Sequence, residues 1–373
     1  MEKRRMKKLG IDTSLLGFGC MRLPVKDGKI DRERTAAMID TAYKAGVNYF
    51  DTAYPYHGGE SELVVGEILK KYDRSTYYLA TKLPCWEVHC LDDAKRLLDY
   101  QLERLQKDYI DFYLLHALNR NSFREMVSYG VVEYLEEMKA AGKIRYLGFS
   151  FHDAFDVFEE IIHYHDWDFC QIQYNYMDRD YQAGERGMDI CIEKGIPVIL
   201  MEPIKGGTLA SLPDAVMTGL RAIRPDVSAA SWALRFVGSR PIVHVILSGM
   251  SNEEQLADNL NTFTGFEPLS EEEEKAVEAT AEAIRARVRN GCTGCRYCMP
   301  CPNGVDIPRN FSIWNNYGMY ENAGSAKWQY GHDLNDSSRA NNCLECGACE
   351  EACPQHLPII EHLRMLSEEL GNL

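Results

Sequence analysis

Short apolar runs alternate with amphipathic stretches from about residue 17 to residue 265 of this 373-residue chain. Most runs are rich in β-branched or aromatic residues, which is typical of parallel strands buried on both faces. The eight runs are Phe18–Leu23, Val47–Ala53, Tyr77–Leu83, Ile110–Leu118, Tyr146–Phe151, Phe169–Asn175, Pro197–Pro203 and Val243–Met250. Eight strands alternating with helices favour a closed α/β barrel, the (β/α)8 TIM barrel, while periodicity alone also allows an open sheet.

The amphipathic stretches carry helix signals. Asp31–Ala45 and Ser122–Ala141 place apolar residues at helical spacing, and each is followed by a glycine, which is a C-cap signal. Asp92–Leu105 begins with a residue suited to an N-cap, and Ser270–Arg289 begins with the spacing of a capping box. The sequence therefore predicts a helix over each of these four stretches.

The composition changes sharply at Asn290, where Cys, Gly, Pro and aromatic residues rise together. A barrel takes about 250 residues, so roughly a hundred remain for a second domain. We predict a barrel over residues 1–288 and a small, mainly α-helical domain over residues 289–373. Aromatic residues in that domain either pack a thin core or shield a metal site from water. They are Phe311, Trp314, Tyr317, Tyr320, Trp328 and Tyr330.

The net charge and the distribution of cysteines exclude some classes of function and favour others. The net charge of −15 argues against non-specific binding of nucleic acid or of an anionic membrane. The basic start of the chain lacks the apolar run of a secretory signal, and no segment approaches the ~18 apolar residues of a membrane span. We expect a cytoplasmic protein. Eight of its thirteen cysteines follow residue 290, which indicates metal ligation rather than disulfides.

The second cysteine group has the C-x2-C-x2-C-x3-C-P spacing of bacterial ferredoxins, which bind [4Fe–4S] clusters. Its members are Cys343, Cys346, Cys349 and Cys353, and Pro354 follows. Three closely spaced thiolates grip one cluster from a short loop, and the fourth commonly binds the other cluster of a pair. Zinc is a minor alternative here because zinc sites usually combine two separated C-x2-C pairs.

The first cysteine group departs from this pattern by one residue before its last cysteine. It consists of Cys292, Cys295, Cys298 and Cys301. We predict crossed ligation, in which Cys353 completes the first group's cluster and Cys301 completes the second group's cluster. Zinc at the first group, or a single cluster, remains an alternative. The long separation of the two groups resembles the α-helical ferredoxin module.

Polar residues occupy the ends of successive predicted strands in the barrel. Asp51, Lys82 and His116 each end an apolar run, and Tyr56 lies in the loop after Asp51. Active sites of such barrels form at the carboxyl ends of the strands. Carbonyl reduction needs a hydride donor and an acid for the developing alkoxide. We predict Tyr56 as that acid, with Tyr54 as its nearest rival.

In this interpretation the ammonium of Lys82 lowers the pKa of the Tyr56 phenol. Asp51 would hold Lys82 in place and charged, and His116 would orient the substrate oxygen. A lone residue of each type is more often structural, and their occurrence together at strand ends favours the catalytic hypothesis.

From about residue 8 to residue 265 the sequence resembles the aldo-keto reductase family. Residues 51–57 resemble the D-T-A-x-x-Y-G motif with His57 in place of the last Gly, and residues 80–82 resemble A-T-K. The L-H, G-x-S and Q-x-x-Y-N motifs follow in order at residues 115–116, 148–150 and 171–175. The resemblance implies a (β/α)8 oxidoreductase with Asp51, Tyr56, Lys82 and His116 in the catalytic roles.

The same resemblance implies a nicotinamide cofactor, NAD(P). Ser150 and Gln171 would hold its carboxamide. The adenosine end would bind after the eighth strand, through Ser248, Gly249, Ser251, Gln255 and Asn259. Gly249 and Gln255 stand where NADP-dependent members carry Lys and Arg, and neither can pair with a 2′-phosphate. The resemblance therefore does not extend to a preference for NADP.

These features lead to three hypotheses. In the first, an oxidoreductase acts on a small carbonyl or alcohol substrate while its clusters exchange electrons with a ferredoxin or flavodoxin partner. In the second, the chain is a non-catalytic nucleotide-sensing or electron-transfer module. In the third, the clusters are structural and the barrel is an ordinary reductase.

Overall fold

The computed structural model describes residues 1–373. Its strands are β1 Lys3–Met6, β2 Ile11–Ser14, β3 Leu16–Gly19, β4 Val25–Lys26, β5 Lys29–Ile30, β6 Tyr49–Asp51, β7 Tyr78–Leu83, β8 Ile110–Leu118, β9 Ile144–Phe151, β10 Phe169–Gln173, β11 Val198–Met201 and β12 Val243–Gly249. Its α-helices are α1 Arg32–Lys44, α2 Glu60–Ile68, α3 Leu91–Leu105, α4 Arg120–Ser128, α5 Val131–Ala140, α6 Phe155–Tyr164, α7 Gly184–Lys194, α8 Asp214–Ile223, α9 Ala229–Gly238, α10 Glu253–Phe263, α11 Glu271–Arg285, α12 Ile307–Tyr320, α13 Ala323–His332, α14 Ala348–Glu351 and α15 Ile359–Gly371.

Eight parallel strands close into a barrel in the order β3-β6-β7-β8-β9-β10-β11-β12. These strands correspond to the eight predicted apolar runs, so the predicted barrel is confirmed. Buried side chains from the strands fill the barrel, and Met6 of the β1–β2 hairpin packs among them. The interior is therefore a packed core, and chemistry is confined to the strand ends and loops.

The first strand lies two residues earlier than predicted, at Leu16–Gly19 instead of starting at Phe18. A β-carbon on Gly17 would lie 2.6 Å from a Val245 methyl group, so only glycine allows this close strand packing. Residues 20–22 then form a 3-10 turn. Gly17 and Gly19 therefore both lie inside the strand.

Three helix predictions need correction. The stretch Ser122–Ala141 is divided into α4 and α5, because Gly130 adopts a left-handed conformation with φ of 72°. Helix α3 begins at Leu91 rather than after Asp92, and Asp93 accepts a hydrogen bond from the backbone N–H of His89 (3.0 Å). The last predicted helix ends earlier, at Arg285.

The chain forms two compact units, residues 1–206 with 230–270 and residues 207–229 with 271–373. The second unit is mainly helical, as predicted, and its core contains Phe311 and Trp314. Trp328, by contrast, is exposed. The domain boundary at residue 288 stays a prediction. None of the helices combines the length and apolar character needed to cross a bilayer.

Candidate functional site

Three of the four predicted catalytic residues lie at the carboxyl ends of adjacent barrel strands. Asp51 ends β6, Lys82 lies near the end of β7, and His116 lies near the end of β8. The register of the sheet pairs Asp51 with Ala80 and Lys82 with Leu114. Parallel pairing therefore brings the three side chains to one edge of the barrel.

Asp51 and Lys82 form a buried ion pair. The Lys82 Nζ donates to Asp51 Oδ1 at 2.6 Å and to the Thr52 carbonyl oxygen at 2.8 Å. Lys82 is 1% exposed and Asp51 is 2% exposed. Burial by itself lowers the pKa of Lys82, but the Asp51 carboxylate and the Tyr56 phenol together raise it above its ordinary value. Lys82 therefore carries a positive charge at neutral pH.

The Tyr56 hydroxyl lies 3.3 Å from Lys82 Nζ. Burial raises the pKa of Tyr56, and this effect exceeds the lowering by Lys82, so the net pKa lies above its ordinary value. The expectation of a lowered Tyr56 pKa is therefore wrong, because desolvation of the phenol outweighs the effect of the Lys82 ammonium. The phenol stays protonated at neutral pH and holds the proton that an alkoxide would take.

His116 lies between two aromatic rings. Its ring centroid is 6.2 Å from that of Tyr56 and 5.0 Å from that of Trp86. Burial lowers the pKa of His116 far below its ordinary value, and Lys82 and His152 lower it further, so the imidazole is neutral. Its Nδ1 is buried and has no hydrogen-bond partner. Trp86 was not predicted as a site residue, because no motif around it indicates that its side chain faces the site.

A buried polar network supports the strand that carries Lys82. Glu62 Oε1 accepts from the Thr81 hydroxyl and from Gln101 Nε2, both at 2.7 Å. Gln101 Nε2 also lies 3.0 Å from the Lys82 carbonyl oxygen, and Tyr113 donates to Gln101 Oε1 at 2.7 Å. This network fixes the backbone at Lys82. It was not predicted, because its members are spread over helices and strands distant in sequence.

The two residues assigned to the carboxamide lie at the same end of the barrel. Gln171 Nε2 donates to Asp51 Oδ2 at 3.2 Å, so Gln171 contacts the ion pair directly. Ser150 Oγ accepts from the backbone N–H of Ala117 at 2.8 Å, next to His116. Both side chains are buried. Each can offer hydrogen bonds to a ligand above Asp51.

The residues assigned to the adenosine end surround the start of α10. Asn259 Nδ2 donates to Ser248 Oγ at 2.8 Å, and the Gln255 side chain accepts from the backbone N–H of Ser251 at 2.8 Å. The Ser251 hydroxyl donates to the Arg22 carbonyl oxygen at 2.9 Å. A β-carbon on Gly249 would lie 3.1 Å from the Arg22 β-carbon. The five residues therefore form one ordered loop and helix start.

A hydrogen bond connects the loop after Tyr56 to the loop that contains Arg22 and Leu23. His57 Nε2 accepts from the backbone N–H of Leu23 at 3.1 Å. To do so, His57 adopts a left-handed backbone with φ of 53°, a conformation that favours glycine. The residue that departs from the family motif thus makes a cross-loop contact. His57 thus combines a hydrogen-bonding side chain, which glycine lacks, with a backbone conformation that glycine would adopt more easily.

The cysteines of the second unit surround two small cavities. One is lined by Cys292, Cys295, Cys298 and Cys353. The other is lined by Cys301, Cys343, Cys346 and Cys349. Both cavities are otherwise lined mainly by apolar side chains, and Ile307 lines both. Each cavity thus offers four sulfur donors around an enclosed space, a donor set that fits a [4Fe–4S] cluster.

The two cysteine loops share a backbone conformation although their sequences differ. The residues on both sides of the second cysteine of each group have a left-handed backbone. They are Gly294 and Arg296 around Cys295, and Glu345 and Gly347 around Cys346. The backbone N–H of Glu345 donates to Cys343 Sγ at 3.4 Å. Burial raises the pKa of Cys298, and the thiols of Cys292, Cys295 and Cys353 raise it further because they lie close by.

Comparison with known proteins places this geometry in a family. The model of the Aldo/keto reductase family matches residues 15–218, more than half of the chain. The chain belongs to the aldo/keto reductase family. A second model, described as a 4Fe-4S dicluster domain, matches residues 291–357 of this aldo/keto reductase. The resemblance noted in the sequence is therefore confirmed for both segments.

Individual relatives agree with this assignment. The chain is 30% identical to the NADH-specific methylglyoxal reductase of Escherichia coli over 236 residues, which are 58% of this chain and 70% of that protein. It is 26% identical to the uncharacterized oxidoreductase YqkF of Bacillus subtilis over 313 residues, 75% of this chain and 96% of that protein. Among solved structures, the holo form of aldo-keto reductase AKR11C1 from Bacillus halodurans superposes with a TM-score of 0.63 at 28% identity, covering 76% of this chain and 97% of the other. This aldo/keto reductase is an oxidoreductase enzyme, as the first and third hypotheses expected.

Proposed function

We propose that this enzyme reduces a small carbonyl compound, or oxidises the corresponding alcohol, at the site formed by Asp51, Tyr56, Lys82 and His116. The observation that carries the proposal is a protonated Tyr56 hydroxyl 3.3 Å from an ammonium that Asp51 keeps charged. Carbonyl reduction develops negative charge on one oxygen, and this arrangement offers that oxygen both a proton and a positive charge.

The reaction balances with one hydride and one proton. Ser150 and Gln171 would hold a reduced nicotinamide, which would supply the hydride to the carbonyl carbon, and the π pair of C=O would move to oxygen. Tyr56 donates its hydroxyl proton to that oxygen, and Lys82 stabilises the phenolate that remains. The neutral imidazole of His116 hydrogen-bonds the same oxygen without contributing a competing charge. A proton from water then restores the phenol.

We also propose NADH as the preferred nucleotide. Ser150 and Gln171 would hold the carboxamide, and the segment from Ser248 to Asn259 would hold the adenosine end. Neither Gly249 nor Gln255 can pair with a 2′-phosphate, and two glutamates occupy the first turn of α10. The E. coli relative is named NADH-specific. A ratio of kcat/KM for NADH to NADPH above one is expected; a preference for NADPH would refute this part.

The cysteine ligand sets support two [4Fe–4S] clusters with crossed ligation. Cys292, Cys295, Cys298 and Cys353 would hold one cluster, and Cys301, Cys343, Cys346 and Cys349 the other. Each cluster exchanges single electrons when bound, so two of them match the two electrons of one hydride. A ferredoxin or flavodoxin would be the external electron partner. Thiolate ligands persist in reducing compartments, which supports a cytoplasmic location.

Anaerobic purification followed by addition of NADH tests the coupling between barrel and clusters. Iron analysis should give about eight iron atoms per chain, and NADH should bleach the cluster absorbance. Tyr56→Phe is the matched control, because it removes the proton donor and leaves the clusters in place. If NADH supports aldehyde reduction but leaves the absorbance unchanged, the clusters are structural and the electron-transfer part of the proposal is wrong.

A further inference from the structure

One polar side chain interrupts the buried apolar face of helix α3. At helical spacing the helix buries Ala94, Leu97, Leu98, Gln101, Leu102 and Leu105. Gln101 is 0% exposed, at a position where the pattern suits another leucine. Burying an amide costs free energy unless its polar atoms have hydrogen-bond partners. The partners of this amide therefore indicate what it does in the fold.

Both polar atoms of the Gln101 amide have partners. The nitrogen Nε2 carries two hydrogens, and its two shortest contacts are with Glu62 Oε1 at 2.7 Å and with the Lys82 carbonyl oxygen at 3.0 Å. The oxygen Oε1 accepts from the Tyr113 hydroxyl at 2.7 Å. The amide therefore connects helix α3 to strand β7 at Lys82 and to strand β8 at Tyr113.

These partners favour one orientation of the amide. If the amide of Gln101 were rotated by half a turn, its oxygen would face Glu62 Oε1 and the Lys82 carbonyl oxygen, which are both acceptors. The other oxygen of Glu62 accepts from Arg104 Nε at 3.1 Å, which holds the carboxylate in place. Glu62 and Tyr113 together therefore keep the amide in the orientation that donates to the Lys82 carbonyl.

The accepting carbonyl belongs to the residue that supplies the ammonium of the site. Side chains alternate along β7. Thr81 faces helix α3, and its hydroxyl oxygen lies 3.3 Å from Gln101 Nε2. Lys82 points the other way, with its Nζ 2.6 Å from Asp51 Oδ1 and 3.3 Å from the Tyr56 hydroxyl. Gln101 therefore contacts the outer side of the strand at the residue whose side chain enters the site.

We propose that Gln101 is a positioning residue of this enzyme, which holds the backbone of Lys82 so that the ammonium stays in contact with the Tyr56 hydroxyl. This inference rests on the proposed carbonyl chemistry and adds to it a residue of helix α3. Gln101 acts through the backbone and not on the reacting atoms. A displacement of about 1 Å between reacting groups can lower a rate about 10²-fold, so a hydrogen bond to the backbone affects turnover.

Two variants test the proposal by steady-state kinetics of aldehyde reduction. Gln101→Leu removes the amide and keeps a side chain of similar size, so kcat should fall about 10- to 100-fold while KM for NADH changes less than about twofold. Tyr113→Phe keeps the amide and removes only the hydroxyl that orients it, so kcat should fall about two- to fivefold. A loss of kcat below about twofold in Gln101→Leu would overturn the proposal. If Gln101→Leu does not fold, an unchanged kcat in Tyr113→Phe would overturn it.

The matched control for stability is Asp111→Asn. Asp111 is also fully buried, and its carboxylate accepts from the backbone N–H of Leu79 at 2.9 Å, near the other end of β7. This variant should lower the melting temperature at least as much as Gln101→Leu does, and kcat should stay within about twofold of the wild type. If Asp111→Asn lowers kcat as much as Gln101→Leu, general loosening of the strand explains the loss and Gln101 is not a positioning residue.

The ammonium of Lys82 gives a readout that does not depend on turnover. Because this ammonium is buried and hydrogen-bonded, its protons should exchange slowly with water, and its side-chain nitrogen should give an NMR signal that is lost in Lys82→Met. The signal should move in Gln101→Leu and stay in place in Asp111→Asn. If the wild type reduces no aldehyde, the proposed function fails and this signal still tests the positioning role. An unchanged Lys82 signal in Gln101→Leu would overturn that role whatever the activity.

Discussion

The barrel site and the cysteine loops prepare for chemistry in opposite ways. In the barrel, protein groups already satisfy the charges: Lys82 has Asp51, and Asp51 also accepts from Gln171. In the cysteine loops, eight thiols surround two cavities and none is bonded to another. The barrel site is therefore complete as a protein structure, whereas the cysteine loops need metal to connect their ligands. Each of the following variants tests one side of this contrast.

The largest effect should come from removing the proton donor. Tyr56→Phe deletes the hydroxyl next to Lys82, and kcat for aldehyde reduction should fall by about 10²–10⁴-fold. The matched control is Tyr54→Phe, which lies two residues away and whose ring contacts that of Tyr100. Steady-state kinetics with saturating NADH measures both. Equal losses in the two variants would mean that Tyr56 has no special role.

Breaking the buried ion pair should cost stability as well as activity. Lys82→Met leaves the buried Asp51 carboxyl group without its cation, and the free energy of unfolding should fall by about 3–5 kcal/mol. Urea unfolding of the barrel measures this loss. Arg5→Met removes one partner of the exposed pair with Asp12 and should cost less than about 1 kcal/mol. A similarly small loss for Lys82→Met would contradict a preformed site.

Loss of one cysteine should affect only the metal centres. Cys353→Ala removes a donor from the first cavity, so iron per chain should fall from about eight to about four. Cys90→Ala, an exposed thiol in the first unit, should leave the iron content unchanged. Aldehyde reduction with NADH should stay within about twofold in both variants. Retention of all iron in Cys353→Ala would exclude crossed ligation.

The cross-loop contact of His57 should have a smaller effect. His57→Gly removes the acceptor for the Leu23 N–H but relieves the left-handed backbone, and these effects oppose each other in stability. The melting temperature should change by only a few degrees. KM for NADH should rise about two- to fivefold, because the Arg22 loop that contacts Ser251 loses an anchor. His57→Asn, which tolerates this backbone, separates the two contributions.

The smallest expected effect is that of pH on turnover. Burial lowers the pKa of His116 far below 6.5, so the imidazole stays neutral as pH falls through 6.5. Burial raises the pKa of Tyr56 above 10.0, so the phenol stays protonated as pH rises to 9. Profiles of kcat for carbonyl reduction should therefore be flat from about pH 6.5 to pH 9. A break near pH 6.5 that disappears in His116→Gln would contradict a neutral histidine.

The sequence predicted the features that depend on short local patterns of residues. The eight apolar runs predicted the barrel. The polar residues at the ends of three of these runs, Asp51, Lys82 and His116, were predicted to meet at one end of it. The pairing of Cys353 with the first cysteine group was predicted from ferredoxin spacing. Cys353 lines the same cavity as that group, and its role as a ligand stays a prediction. What could not be predicted depends on distant contacts.

Distant contacts explain the features that were missed. Gln101 reaches the Lys82 carbonyl from α3, and Trp86 reaches His116 from another loop. The direction of the Tyr56 pKa shift was also wrong, because it depends on how much of the phenol the fold buries, and no spacing rule measures burial. The two helices on either side of Gly130, α4 and α5, show the same limit, because the sequence pattern was read as one continuous helix.

The fourth thiol of each cavity comes from the other loop: Cys301 lies 42 residues before Cys343, and Cys353 lies 55 residues after Cys298. Cys301 lines the same cavity as Cys343, Cys346 and Cys349. Cys353 lines the same cavity as Cys292, Cys295 and Cys298. During synthesis, neither ligand set is complete until the ribosome has passed the last cysteine loop. A cluster held by either proposed set of four thiols would therefore need both cysteine loops, and a product that stops before Cys343 contains neither set.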